Sequence, residues 1–140
     1  MPSSGAIRIL VVEDDLHSRE GMKLSLTTEG HRVEVAADLW ETVRLIKGGS
    51  FDVAIIDLDF APLRGVEVSG WELTRIVRAE QPGIGFIVIG AEDRPEIRRQ
   101  AAAEGVAHFL VKPVSLARIK TMVRHLGPCG YGKSESAFTR

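Results

Sequence analysis

Short runs of β-branched and other apolar residues recur along the chain at Ile7–Val12, Arg32–Ala36, Val53–Ile56, Phe86–Ile89 and Ala107–Val111. Between and after them the apolar positions change to helical spacing over ten or more residues. The first helical segment, about Leu16 to Glu29, stacks Met22 on Leu26 and stops at Gly30, a residue suited to the left-handed position after a helix. The second opens with Asp38 and Glu41 in capping-box spacing and sets Leu39, Val43 and Ile46 on one face. The third opens with Ser69 and Glu72 in the same spacing and buries Leu73, Ile76 and Val77. A fourth is expected to start at Asp93, with Glu96 three residues on, and to end at Gly105. The fifth starts at Ser115 and carries Leu116, Ile119, Val123 and Leu126 along one face. Three capping boxes in so short a chain are hard to produce by accident.

Strict βα alternation argues for an α/β fold with a parallel sheet covered by helices on both faces. The near-continuous apolar strands agree, because such a sheet is buried on both sides. The expected domain is residues 6–126, with 127–140 as a flexible C-terminal tail or the start of a linker.

Composition narrows the class without revealing chemistry. The chain has 140 residues, the size of one domain, and 44% of them are hydrophobic, which argues against disorder. Lys+Arg number 18 against 19 Asp+Glu, a net charge of −1, so binding to a polyanion by bulk charge is excluded. Cys129 is the single cysteine, which rules out an intrachain disulfide and a cysteine metal cluster and fits a reducing compartment. The start of the chain has neither a basic region nor an apolar stretch, and the longest apolar runs are strand-sized. These features predict a cytoplasmic protein with no membrane span.

Chemistry enters where the strands end, because open parallel sheets bind ligands beyond the carboxyl ends of their strands. Glu13, Asp14 and Asp15 follow the first strand, and Asp57 and Asp59 close the third. Gly90, Ala91 and Glu92 follow the fourth, and Lys112 and Pro113 follow the fifth. Asp15 alone reads as an acid favouring a helix N-terminus. The set reads differently, since crowded carboxylates raise each other's pKa unless a cation compensates them. Glu13, Asp14 and Asp57 offer hard oxygen donors without sulfur or imidazole, which suits Mg²⁺ and not zinc. Lys112 supplies a point charge able to pair with a phosphoryl oxygen or an acid. A metal-bound acid that stays accessible can act as a nucleophile toward a phosphoryl group.

Three motifs carry a family resemblance: Ile9-Leu10-Val11-Val12-Glu13-Asp14-Asp15, Phe51-Asp52-Val53-Ala54-Ile55-Ile56-Asp57 and Gly105-Val106-Ala107-His108-Phe109-Leu110-Val111-Lys112-Pro113. In this order and spacing they resemble the CheY-like receiver domain of two-component response regulators, over about Ile7 to Leu126. The resemblance implies a flavodoxin-like doubly wound (βα)5 sheet in the order 2-1-3-4-5. It implies that Asp57 accepts a phosphoryl group from a phosphohistidine on a sensor histidine kinase or a histidine phosphotransfer protein. Asp14 and Asp57 would be direct Mg²⁺ ligands, Glu13 would hold metal-bound water, and the backbone carbonyl of Asp59 would be a third protein ligand. Lys112 would bridge to phosphoryl oxygens, Pro113 would shape the following turn, and Phe109 would stand at the aromatic switch position. Such a domain is no enzyme beyond its own phosphorylation and dephosphorylation.

Two departures from the family pattern stand out. Gly90 takes the place of the usual Thr or Ser, whose hydroxyl bonds the phosphoryl group and draws the neighbouring loop and aromatic inward. The backbone N–H groups of Gly90 and Ala91 remain, so chemistry should survive better than switching. The stretch Ala61–Ser69 contains an insertion, since Gly70 lies thirteen positions after Asp57.

Two rival readings exist. Asp57-Leu58-Asp59 is similar to the nucleophile motif of haloacid-dehalogenase-type phosphatases, although there it closes the first strand and here the third. A pseudo-receiver, with the fold but without phosphotransfer, would also explain Gly90. The resemblance implies that the phosphodonor docks near the first helix and the pocket loops. The fourth helix has a thin apolar face around Ile97 and Ala101. With the fifth strand and fifth helix it could form a homodimer or an effector surface, with Arg98, Arg99, Arg118, Lys120 and Arg124 available for ion pairs. No recognition helix follows, so no nucleic-acid binding is expected within this chain.

Overall fold

Each expected βα unit forms. The computed structural model describes residues 6–59 and 68–127, and the elements named here lie within them. The strands are β1 (Arg8–Val12), β2 (Arg32–Ala36), β3 (Val53–Asp57), β4 (Gly85–Gly90) and β5 (His108–Val111). The helices are α1 (Leu16–Thr28), α2 (Leu39–Gly48), α3 (Gly70–Glu80), α4 (Pro95–Ala103) and α5 (Leu116–Leu126). All four strand pairings are parallel, in the order β2-β1-β3-β4-β5. β1 and β3 are neighbours where the chain reverses its direction of travel across the sheet.

Strand alternation divides the core into two layers. Leu10, Val12, Ala54, Ile56, Phe86 and Val88 face one side, where they meet Leu39 and Ile46 of α2 and Leu73 and Val77 of α3. Ile9, Val11, Ile55, Ile87 and Ile89 face the other, against Met22 and Leu26 of α1 and Ile119, Val123 and Leu126 of α5. Burying a Leu, Ile or Val side chain contributes roughly 1.5–3 kcal/mol, so these two layers dominate the fold.

Caps set the helix starts, and two of the three expected capping boxes differ from expectation. Asp15 caps α1 by accepting the Ser18 N–H at 2.9 Å. Asp38 accepts the Glu41 N–H at 2.9 Å, but the Glu41 carboxylate takes the N–H of Ala37, one residue before the cap. Ser69 and Glu72 form the complete reciprocal box. Asp93 does not cap α4. The N-cap lies one residue later, at Arg94 without a side-chain cap bond, because Pro95 takes the first helical position. The Asp93 carboxylate instead holds Arg98 at 2.6 and 3.0 Å. At the other end of α1, Gly30 has φ +96°, the left-handed conformation its position predicts.

Three further positions correct the helical-face reading. Ile76 is 37% exposed, and Thr74 is buried in its place. Val43 is half-buried beside a fully buried Thr42. Leu116 is 39% exposed, while Ile119, Val123 and Leu126 are buried as expected. Both threonines satisfy their hydroxyls locally, Thr42 on the Asp38 carbonyl at 2.9 Å and Thr74 on the Trp71 carbonyl at 2.6 Å. A satisfied hydroxyl lets threonine occupy an apolar site.

Gly70 opens α3 where the helix comes down on the residue after Asp57. A Cβ there would lie 2.6 Å from Leu58 Cδ2 and 2.8 Å from Leu58 Cα, so only glycine allows this approach. Most of the Ala61–Ser69 insertion, the tail beyond Gly127 and Cys129 lie outside the described residues. Among the described residues no helix is long and apolar enough to cross a membrane.

Candidate functional site

The carboxyl ends of β1 and β3 bring the acids together. Val12 is in register with Ile56, so the residues that follow β1 face Asp57 at the end of β3. Glu13 and Asp57 are only 4% and 2% exposed, whereas Asp14 is exposed. Each of the three offers a carboxylate oxygen, and these atoms all lie within 4.8 Å of one another. β4 links this corner to β5, with Asp57 beside Ile89 and Gly90 beside Val111. Lys112 thereby places its Nζ 2.9 Å from Asp57 Oδ2.

The remaining contacts orient this group. Asp57 Oδ1 accepts the Asp59 N–H at 2.8 Å, and Glu13 Oε2 accepts the Asp15 N–H at 3.0 Å. The Asp59 side chain is half exposed, with Oδ2 3.5 Å from Lys112 Nζ. Arg19 donates to the Glu13 carbonyl at 3.0 Å, fixing the backbone after β1. Pro113 follows Lys112 through a cis peptide bond.

Crowding shows in the protonation of the cluster. Burial pushes the Glu13 carboxyl up to about 7, and its hydrogen bond with Asp57 adds to the rise. Burial opposes the charge of Lys112, but the bond to Asp57 and the fields of Asp57, Asp59 and Glu13 outweigh it and raise its pKa. The Lys112 ammonium stands against the buried Asp57 and the half-exposed Asp59. The donor set is all carboxylate oxygen, and two of its members are withdrawn from water. Glu13, Asp14 and Asp57 therefore suit a hard divalent cation.

A family model for the response regulator receiver domain matches residues 9–124, most of the chain. The chain belongs to the response regulator receiver family.

Among similar proteins is the response regulator MprA of Mycolicibacterium vanbaalenii, 33% identical over 135 residues. The match covers 94% of this chain and 56% of MprA, so the chain spans about half the length of this relative. A CheY-like receiver domain protein from Methanospirillum hungatei superposes with a TM-score of 0.73 at 26% identity, covering 86% of this chain and 96% of that one. The receiver domain of Francisella response regulator 1452 gives a TM-score of 0.76 at 26% identity, covering 86% and 95%. Receiver domains of response regulators are signalling modules of two-component systems. The haloacid-dehalogenase reading of Asp57 and Asp59 falls with this assignment.

On the α4 flank of the receiver site, Gly90 and Phe109 form a matched pair. A Cβ at position 90 would lie 3.2 Å from both Cε1 and Cζ of the Phe109 ring and 3.4 Å from Leu58 Cδ1. The ring thus occupies ground that a side chain at 90 would need. Its other contact escaped sequence reading: the Arg98 guanidinium lies over it, 5.6 Å from the centroid, while Asp93 holds Arg98. Only the position of Asp93 one turn before Arg98 hints at this clamp. Gly90, Ala91, Leu58, Asp59, Glu92 and Ile97 line a cavity of about 300 Å³ beside the site.

A larger, mostly apolar groove of about 610 Å³ lies on the α1 flank, lined in part by His17, Met22, Lys112, Pro113, Leu116 and Ile119. Leu16 stands 56% exposed on the same helix. The family resemblance implied docking near α1, but the groove depends on how α1 and α5 meet and has no local signature.

Proposed function

We propose that this receiver accepts a phosphoryl group on Asp57 from a phosphohistidine of a sensor histidine kinase or a histidine phosphotransfer protein, in the cytoplasm. The observation that carries the reading is the Lys112 ammonium 2.9 Å from Asp57 Oδ2, at the edge of a cluster of three carboxylates. An oxygen of the Asp57 carboxylate attacks phosphorus as the phosphorus–nitrogen bond of the donor breaks, and the imidazole leaves with the electron pair. Lys112 moves its charge from a carboxylate oxygen to a phosphoryl oxygen, a shift that stabilises the developing charge. The Asp59 N–H fixes the carboxylate rotamer. Asp14, Asp57 and the Asp59 carbonyl would hold Mg²⁺, with Glu13 behind them, and the ion would neutralise charge on the phosphoryl oxygens. The apolar groove between α1 and α5 opens beside Lys112 and suits the donor's helix.

Gly90 supports a second feature of the reading. No hydroxyl at this position can bond the phosphoryl group, so phosphorylation is only weakly coupled to Phe109 and α4. The same residue is the one observation that favours a pseudo-receiver. Incubation with acetyl phosphate and Mg²⁺ followed by intact-mass measurement separates the two. The proposal expects a gain of one phosphoryl group that chelator and Asp57→Asn each abolish. No gain, even with a histidine kinase and ATP added, would establish the pseudo-receiver.

A further inference from the structure

A buried titratable side chain lies at the other end of β1 from the acid cluster. His31 is 7% exposed, in the turn between α1 and β2. Its Nδ1 accepts the N–H of Ile7 at 3.1 Å, across 24 positions of the chain. Ile7 is 1% exposed, and its carbonyl accepts the Arg32 N–H at 2.9 Å. The residue that leads into β1 is thus fastened by both His31 and Arg32 at the start of β2. Water cannot replace a lost partner at a buried backbone N–H, so breaking the His31 bond leaves that donor bare.

An imidazole nitrogen accepts a hydrogen bond only while it carries no proton. Proton uptake at Nδ1 sets two donors against each other, and turning the ring over offers Ile7 only a carbon. The charged groups whose fields reach the ring come from two helices. Glu29 at the end of α1 favours the cation, and Arg124 of α5 opposes it. Burial is the largest influence and holds His31 below its ordinary pKa. Arg8 and Arg32, which begin the two strands, are exposed. Glu29 takes Arg124 at 2.9 Å and Lys120 at 4.0 Å, and all three side chains are partly open to water. Glu29 is therefore the acid to which a protonated ring can turn.

We propose that His31 is a pH-sensitive tether on the entry to β1: the neutral ring holds the Ile7 N–H, and the protonated ring releases it and turns its charge toward Glu29. The tether is whole above 6.5, the ordinary histidine midpoint, and is lost as pH falls through the lower midpoint of the folded protein. Release loosens the start of β1 and not its centre, because Ile9 and Val11 keep their partners on β2 and β3. Local opening of this kind needs the loss of only a few bonds. The proposal is independent of phosphoryl acceptance, since neither His31 nor Glu29 belongs to the acid cluster.

The test is a pH titration of the ¹⁵N-labelled, unphosphorylated chain in chelator, read by nuclear magnetic resonance at the His31 ring and by amide hydrogen exchange. At about pH 7.5 the ring should carry its proton on Nε2, and its midpoint should lie below 6.5. Between about pH 7.5 and about pH 5.5, exchange of the Ile7 amide, corrected for its intrinsic rate, should quicken about tenfold while that of Val11 changes little. His31→Asn, whose side-chain oxygen falls near the place of Nδ1, should keep Ile7 protected at both pH values. Glu29→Gln should lower the ring's midpoint. The ring titration and the Ile7 exchange of the parent chain decide the matter even if His31→Asn fails to fold. An Ile7 amide that tracks Val11, or a ring protonated on Nδ1 at about pH 7.5, overturns the proposal. So does a midpoint indifferent to Glu29→Gln, or a pH trend that survives in His31→Asn.

Discussion

The two flanks of Asp57 are held by different forces. On the α1 side, Met22, Leu26, Ile119, Val123 and Leu126 are all 5% exposed or less, and this dry layer carries Glu13 and Lys112 at its rim. On the α4 side, the helix itself buries a single residue, Ala101, and has no side-chain cap. What holds α4 is polar: Asp93 on Arg98, Arg98 over Phe109, and Arg75 and Arg78 of α3 on Glu104 near its end. Most of these groups are exposed, and exposed ion pairs contribute little and weaken with salt. The contrast separates tasks. Groups for chemistry are fixed by packing, while the element that would report on the chemistry is tethered loosely and opens at low cost.

The largest effect expected from breaking this contrast lies at Lys112. Lys112→Ala removes the ammonium paired with Asp57 and leaves that carboxylate buried beside Glu13. The rate of mass gain from acetyl phosphate should fall roughly 10²–10³-fold, as for loss of one preorganised donor. Arg98→Ala, on the polar flank, should leave that rate unchanged. A Lys112→Ala rate within a few-fold of the parent would remove Lys112 from the chemistry.

A second effect is read as stability. Glu13 is raised from 4.5 to about 7 in the folded protein, so its protonated form is the favoured one there. The stability it contributes is complete below its unfolded pKa and is lost as pH rises through about 7. The loss amounts to at most about 3 kcal/mol. Mg²⁺ compensates the anion and should remove the trend. His31 and His108, both held below 6.5 chiefly by burial, act in the opposite sense as pH falls. The informative quantity is therefore the difference between urea midpoints in Mg²⁺ and in chelator. That difference should grow from about pH 5 to about pH 8, and a flat difference would show that the cluster binds no Mg²⁺.

Legibility in the sequence follows the same divide. Glu13, Asp14, Asp57 and Lys112 could be placed because parallel strands of apolar residues end abruptly in polar ones, and topology fixes where those ends converge. The polar flank could not. Asp93 with Glu96 has the spacing of a cap, but Pro95 preempts the first helical position and Arg98 takes the carboxylate. Thr42 and Thr74 occupy buried sites that periodicity assigned to Val43 and Ile76, because a backbone carbonyl satisfies each hydroxyl. His31 is likewise buried with its Nδ1 accepting the Ile7 N–H at 3.1 Å, a long-range bond no local pattern announces. The packing of Phe109 on Gly90 joins two strands, and neither residue alone signals it.

The smallest effect, and the sharpest test of the divide, is Gly90→Thr. The new Cβ would meet the Phe109 ring at 3.2 Å, so the ring must yield by a few tenths of an ångström, and its outer side is lined by the Arg98 guanidinium. In the unphosphorylated chain the substitution should shift the Phe109 ring signals at once. After phosphorylation the hydroxyl gains a partner worth roughly 1.5–3 kcal/mol, as for a hydrogen bond to a charged group. A gain of that size changes the balance between two ring positions by about tenfold or more. The parent chain has no such lever, so phosphorylation should perturb the amides of Gly90 and Ala91 and leave the Phe109 ring nearly still. If the parent ring moves on phosphorylation as far as the Gly90→Thr ring does, the hydroxyl is not the missing link, and the loosely held α4 flank takes its signal from Lys112 or from the backbone after β4.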